Sequence, residues 1–157
     1  MSLVRLHRRA LLTGALAAFA APAVASPRPA MLVYKDPDCG CCGAWVEHLR
    51  AAGFSVEVQV EPRMNLVKAR LRVPAALASC HTAQIDGYVV EGHVPAEAID
   101  RLLAGRPKLA GLAVPGMPVG SPGMEVDGLK PEPFAVMGFA PDAAPRVFLD
   151  YPRGYRG

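Results

Sequence analysis

An α/β domain with a mixed central sheet flanked by helices is the fold class this sequence predicts. A short apolar run, Met31-Leu32-Val33-Tyr34-Lys35, is followed by a turn and then by apolar residues at helical spacing. A second apolar run begins at Phe54, just after Gly53. Strand, helix, strand in that order pairs two parallel strands across a right-handed crossover. Farther on, Asp86-Gly87 lies between two strand-like stretches, a two-residue signal for a tight hairpin, so the sheet must hold antiparallel neighbours as well.

Each element follows from local chemistry. Met31 to Lys35 reads as a buried strand, and Asp36-Pro37-Asp38 as the turn that ends it. After the cysteine loop Cys39-Gly40-Cys41-Cys42, a helix is expected from Gly43, with Trp45, Val46, Leu49 and Ala52 on its buried side and Gly53 terminating it. Asp36 and Asp38 are expected to shape the turn and cap this helix. Phe54 to Val60 alternates as a strand, with Phe54, Val56, Val58 and Val60 on one face. Arg63 to Arg72 carries Met64, Val67 and Leu71 at helical spacing, and Val73-Pro74 stops it. His81 to Ile85 and Tyr88 to Val90 form the hairpin arms. Ala96 to Leu103 is a helix burying Ile99, Leu102 and Leu103, with Glu97 and Arg101 as an i,i+4 pair. Proline and glycine accumulate from Gly111 to Gly123, which makes Val114 to Met124 a loop. Phe134 to Phe139 and Arg146 to Tyr151 are late strands, and no internal repeat is visible. Strand, thiol loop, helix, strand, helix, hairpin, helix is the order of a thioredoxin-like domain with cysteines at the N-terminal end of its first helix. Unpaired backbone N–H groups and the helix dipole favour thiolate over thiol there.

The chain's 157 residues allow one domain with a substantial core. Arg5, His7, Arg8 and Arg9 precede an apolar run from Ala10 to Ala21 and the small-residue pattern Ala23-Val24-Ala25, so residues 1–25 read as an export signal cleaved near Ala25. The run is shorter than the roughly 20 residues of a membrane span, which argues against a retained anchor. Arg8-Arg9 resembles a twin-arginine signal. Residues 26–30 form a leader, and residues 31–157 the single domain. Without the three signal arginines, the 17 Lys+Arg fall to 14 and match the 14 Asp+Glu. The mature chain is formally neutral, and nothing in its charge argues for nucleic acid or an anionic membrane surface. The expected address is the periplasm.

Three of the four cysteines, Cys39, Cys41 and Cys42, lie within four residues, and the fourth, Cys80, stands beside His81. Two structural disulfides would be usual in an exported protein. Here, however, a bridge between the vicinal pair or across Gly40 strains the geometry, leaving Cys39 to Cys42, or the cluster to Cys80, as comfortable bridges. A thiol-disulfide oxidoreductase using Cys39 as nucleophile and Cys42 as resolving thiol is one reading, although it leaves Cys41 and Cys80 unused. A single zinc ion favours two spaced Cys-x-x-Cys pairs, and the spacing matches none of the common iron–sulfur runs. Crowded thiolates are better suited to bridging several soft ions, and in an exported protein the evident soft ion is Cu(I). Four thiolates would balance four monovalent ions.

Asp38-Cys39-Gly40-Cys41-Cys42-Gly43-Ala44-Trp45, Cys80-His81-Thr82-Ala83, the segment Gly87 to Pro95, Gly111 to Pro118 and Gly120 to Met124 together resemble the CopG-like family of periplasmic copper-resistance proteins, across nearly the whole mature chain. The resemblance implies a thioredoxin-like fold and a cysteine-bridged tetranuclear copper cluster held by Cys39, Cys41, Cys42 and Cys80. It also implies a role in copper sequestration or in interconverting copper oxidation states, with other periplasmic copper-handling or electron-transfer proteins as partners.

Four further side chains are candidates beside that set. His81 adjoins Cys80 and could ligate copper or hydrogen-bond the loop, and His93 follows the hairpin and can return to the thiols. Met117 and Met124 offer thioethers on a Gly/Pro-rich loop, suited to copper entry or transfer or to packing. His48 lies about two helical turns, roughly 10 Å, beyond Cys41 and Cys42 and reads as structural or solvated. Met64 and Met137 read as core, and Trp45 as packing beneath the thiol loop.

Overall fold

A computed structural model describes residues 28–156, so the expected export signal, residues 1–25, lies outside the described residues. Seven strands, β1 (Met31–Lys35), β2 (Val56–Val60), β3 (His81–Ile85), β4 (Tyr88–Glu91), β5 (Gly111–Ala113), β6 (Phe134–Ala140) and β7 (Ala143–Tyr151), form one mixed sheet among the described residues, in the order β2-β1-β3-β4-β5-β6-β7. Three helices, α1 (Cys41–Ala51), α2 (Met64–Arg70) and α3 (Ala96–Gly105), flank it, and a 3-10 turn covers Ala75–Leu77.

The register follows the expected logic. β1 and β2 run parallel, with Val33 opposite Val58, and β1 and β3 run antiparallel, with Lys35 opposite His81. The β3–β4 hairpin closes through Asp86 and Gly87, both at positive φ, 48° and 84°. That is the turn whose twist matches the flanking strands. Alternation along β1 sends its two faces to different layers. Met31 and Val33 join Trp45, Val46 and Leu49 of α1 and Ile99 and Leu102 of α3 in the main core, whereas Tyr34 packs with Met64 and Val67 of α2 on the other face.

Several boundaries differ from expectation. The first helix starts at Cys41 instead of Gly43, its N-cap is Gly40, and no side chain caps it, so Asp38 is not the cap. Asp36 accepts a hydrogen bond from the Asp38 N–H at 2.9 Å and so shapes the turn alone. Val58 and Val60 are exposed because β2 is the outermost strand, with a neighbour on one side only. The Gly/Pro-rich stretch begins with a strand, β5, inserted between β4 and β6. Its Gly111 lies so close to the Val89 carbonyl that a Cβ would collide with it, so glycine serves a close backbone approach there and not a turn. The last two strands are longer than expected and form a hairpin with two register shifts.

Candidate metal centre

The parallel β1–α1–β2 unit delivers the first thiols. β1 ends at Lys35, the Asp36 turn reverses the chain, and α1 begins with Cys41 itself. Cys39 and Cys42 therefore sit one helical turn apart, with Cα atoms 5.7 Å from each other, and are joined by a disulfide. That separation lies inside the range a disulfide needs. Cys41 and Cys80 are free. Because β3 pairs with β1, Cys80, one residue before β3, arrives beside the thiol loop: its Sγ is 3.9 Å from that of Cys41, which is 3.7 Å from Cys39 Sγ. The four sulfurs all lie within 4.8 Å of one another.

Two imidazoles complete the surroundings of Cys80. His81 Nδ1 and His93 Nε2 each stand 3.1 Å from its Sγ, and both rings are fully buried. His93 donates its Nδ1–H to the Pro122 carbonyl at 2.8 Å, which leaves the Nε2 lone pair facing Cys80. Burial lowers the pKa of His93, with the Pro122 contact working the other way. His81 is held well below its ordinary value, first by burial and then by the nearby His93 and Lys68, and its Nε2 has no hydrogen-bond partner. Burial, followed by neighbouring Cys41, pushes the Cys80 thiol up to about 11. Met117, half exposed, places its Sδ 3.9 Å from Cys41 Sγ, and together with Cys39, Cys41 and Cys80 it lines an open depression that Asp36 and Asp38 also border.

The remaining candidates fall elsewhere. Met124 bonds within its own loop, its N–H to the Ser121 carbonyl and its carbonyl to the Gly120 N–H. No sulfur contact joins it to the cysteines among the described residues. His48 accepts a hydrogen bond from Ala96 N at the start of α3, 3.2 Å, a structural task. Trp45 is fully buried, its ring centroid 4.2 Å from that of His81 with the planes tilted by 37°, and its Nε1 donates to the Val94 carbonyl at 2.9 Å. The 120–124 loop presses onto the first turn of α1 at Gly123, whose φ is +83° and whose Cβ, if present, would lie 2.5 Å from Trp45 N.

A buried polar network escaped the sequence reading. Glu91, at the end of β4 and fully buried, accepts Lys68 Nζ at 2.5 Å, the Ser79 N–H at 2.6 Å and the Thr82 hydroxyl at 2.7 Å, and Lys68 also donates to Thr82 at 3.0 Å. Burial raises the Glu91 pKa, opposed chiefly by the Lys68 charge. Its one sequence signal is a carboxylate closing the otherwise apolar run Tyr88-Val89-Val90. Next to it, Gly92 at φ +73° leaves no room for a Cβ, which would stand 2.6 Å from both Ser79 Oγ and the Val114 carbonyl.

Four thiols from two loops and two neutral imidazoles form a donor set for a soft cation, provided the Cys39–Cys42 bridge is opened to release all four sulfurs. Two solved structures, both titled copper resistance protein CopG, in forms 1 and 2, are each 48% identical to this chain and cover 80% of it. The alignments span 98% and 99% of those chains, with TM-scores of 0.74 and 0.75. The chain belongs to the CopG family. A family model described as a protein of unknown function, DUF411, also matches residues 77–124, the span from the 3-10 turn through Cys80, His81 and His93 to Met124. No curated protein sequence matches.

Proposed function

We propose that this chain is a periplasmic copper-binding protein that holds Cu(I) as a polynuclear, tetranuclear cluster through the thiolates of Cys39, Cys41, Cys42 and Cys80. The observation that carries the reading is the convergence of four sulfurs from two distant loops within 4.8 Å of one another. The relatives' title of copper resistance supports the choice of metal. Opening the Cys39–Cys42 bridge takes two electrons and two protons from a dithiol reductant and yields two thiols. Each thiol then gives up a proton as it takes copper, so binding weakens as pH falls. His81, His93 and Met117 are the secondary donors, and the open depression beside Met117 is the entry side. Residues 31–157 act as one thioredoxin-like unit whose task is to hold the two cysteine loops together. Other periplasmic copper-handling or electron-transfer proteins are the partners this reading implies, and interconversion of copper oxidation states is its redox extension.

Anaerobic reconstitution of the dithiol-reduced mature chain, followed by copper counting, tests it. About four ions per chain, one for each thiolate, are expected, with fewer in Cys80→Ser. A count near one, or no loss in Cys80→Ser, refutes the shared cluster. The Cys39–Cys42 disulfide favours a second reading, a thiol-disulfide oxidoreductase. Insulin reduction by metal-free protein that survives both Cys41→Ser and Cys80→Ser would support that reading over copper binding.

A further inference from the structure

We propose that Glu91 is the positioning residue for Cys80, clamping the loop that carries the fourth thiol so that its sulfur meets those of the Cys39–Cys42 loop. The inference rests on the copper reading for its purpose, although not for its geometry. Cys80 lies between the 3-10 turn and β3, and the residue before it belongs to no regular element. Regular backbone pairing does not hold that stretch. Glu91 does so from the neighbouring strand, by grasping both sides of Cys80-His81: one carboxylate oxygen takes the Ser79 N–H, the other the Thr82 hydroxyl. Lys68, reaching over from α2, ties Glu91 and Thr82 together. The clamp is tight because Gly92 lets the backbone of β4 come under Ser79, while Ser79 Oγ donates to the Gly116 carbonyl at 2.5 Å.

A fully buried carboxylate is a costly way to hold a loop, and an apolar contact would pack as well with less desolvation. What a carboxylate adds is direction: two oxygens fix two donors at set angles, which an apolar side chain does not. Cys80 needs that direction, since it faces Cys41 on one side and two imidazoles on the other, each at close range. The same clamp sets the loop that carries Met117, through Ser79 and Gly116, one residue before the thioether. Groups that orient metal ligands without touching the metal commonly change affinity by about 10- to 100-fold when removed.

The test uses Glu91→Gln and Glu91→Leu in the full mature chain, with Thr82→Val as an isosteric second lesion that removes the hydroxyl, both the donor to Glu91 and the acceptor of Lys68. Leu102→Ala, in the main core on α3 and outside the Glu91 hydrogen-bond network, serves as a control for general destabilisation. Two measurements are made after dithiol reduction: the rate of Cys80 alkylation in metal-free protein, by mass spectrometry relative to Cys41, and Cu(I) affinity by competition with a chromophoric chelator. Positioning predicts that Glu91→Gln and Thr82→Val stay folded, that Cys80 alkylation rises several-fold against Cys41, and that Cu(I) affinity falls by about 10- to 100-fold, while Leu102→Ala moves neither ratio. Unchanged Cys80 alkylation in folded Glu91→Gln and Thr82→Val overturns the proposal, as does an equal rise in Leu102→Ala. If Glu91→Leu does not fold, the other two variants decide. Should wild type bind no copper, the copper reading fails while the alkylation ratio still judges Glu91.

Discussion

Replacing Lys68 by methionine isolates the energetic cost of the buried carboxylate. Lys68 is nearly buried, with its side chain 16% exposed, and its Nζ lies 2.5 Å from a Glu91 oxygen that has no solvent exposure. Methionine keeps most of the aliphatic stem and removes the charge. Taking one partner from a buried pair costs about 3–5 kcal/mol. Here the Ser79 N–H and the Thr82 hydroxyl remain as donors, 2.6 and 2.7 Å away, which places the expected loss at the low end, about 3 kcal/mol. The loss must depend on pH. Burial already raises the Glu91 pKa and the Lys68 charge is the main opposing influence, so removing Lys68 raises it further. A carboxyl whose folded pKa lies above its unfolded value contributes stability that is present below the unfolded pKa and is lost as pH rises through the folded one. The Lys68→Met deficit is therefore largest at neutral pH and shrinks on acidification. Urea unfolding of metal-free protein, with the Cys39–Cys42 bridge intact, should give a deficit of about 3 kcal/mol at pH 7.5 that falls by about 1 kcal/mol or more at pH 5. A deficit under about 1 kcal/mol, or one equal at both pH values, would show that the ion pair is not carrying the buried charge.

Two further outcomes test the geometry around the thiols. Gly123→Ala puts a side chain at φ +83° and against Trp45 N, so urea unfolding should show a loss of about 2 kcal/mol or more; a loss below about 1 kcal/mol would contradict the close approach of that loop to α1. In a Cys41→Ser chain with Cys39 and Cys42 bridged, Cys80 is the single free thiol. Its alkylation rate should remain low through the ordinary thiol range near pH 8.5 and climb only at higher pH, because burial, the largest cause of the raised pKa, persists when the Cys41 contribution is removed. A midpoint at or below the ordinary value would mean that the thiol is more exposed than the fold has it.

Much of the fold was legible because its signals are short-range. β1, the β3–β4 hairpin and α3 follow from alternation, an Asp-Gly turn and helical spacing, each carried by adjacent residues. β5 was not legible. Three residues with a glycine among them look like loop until β4 and β6 supply partners on both sides. The exposure of Val58 and Val60 likewise depends on β2 being outermost, which alternation does not reveal. Among the site candidates, the structure brings His81, His93 and Met117 to the thiols and leaves Met124 within its own loop.

By itself, the sequence determined the ingredients: a strand, three crowded thiols at the start of a helix, one distant cysteine beside a histidine, and the α/β order that contains them. Adjacent residues are held together by covalent geometry, so Cys39, Cys41 and Cys42 are neighbours in any fold. Whether Cys80 joins them depends on the pairing of β3 with β1, and its orientation depends on a carboxylate from β4 and a lysine from α2. Those are contacts between elements far apart in the chain. They arise from burial and packing, which local pattern does not encode, and so only the tertiary structure could turn four cysteines into one candidate metal centre.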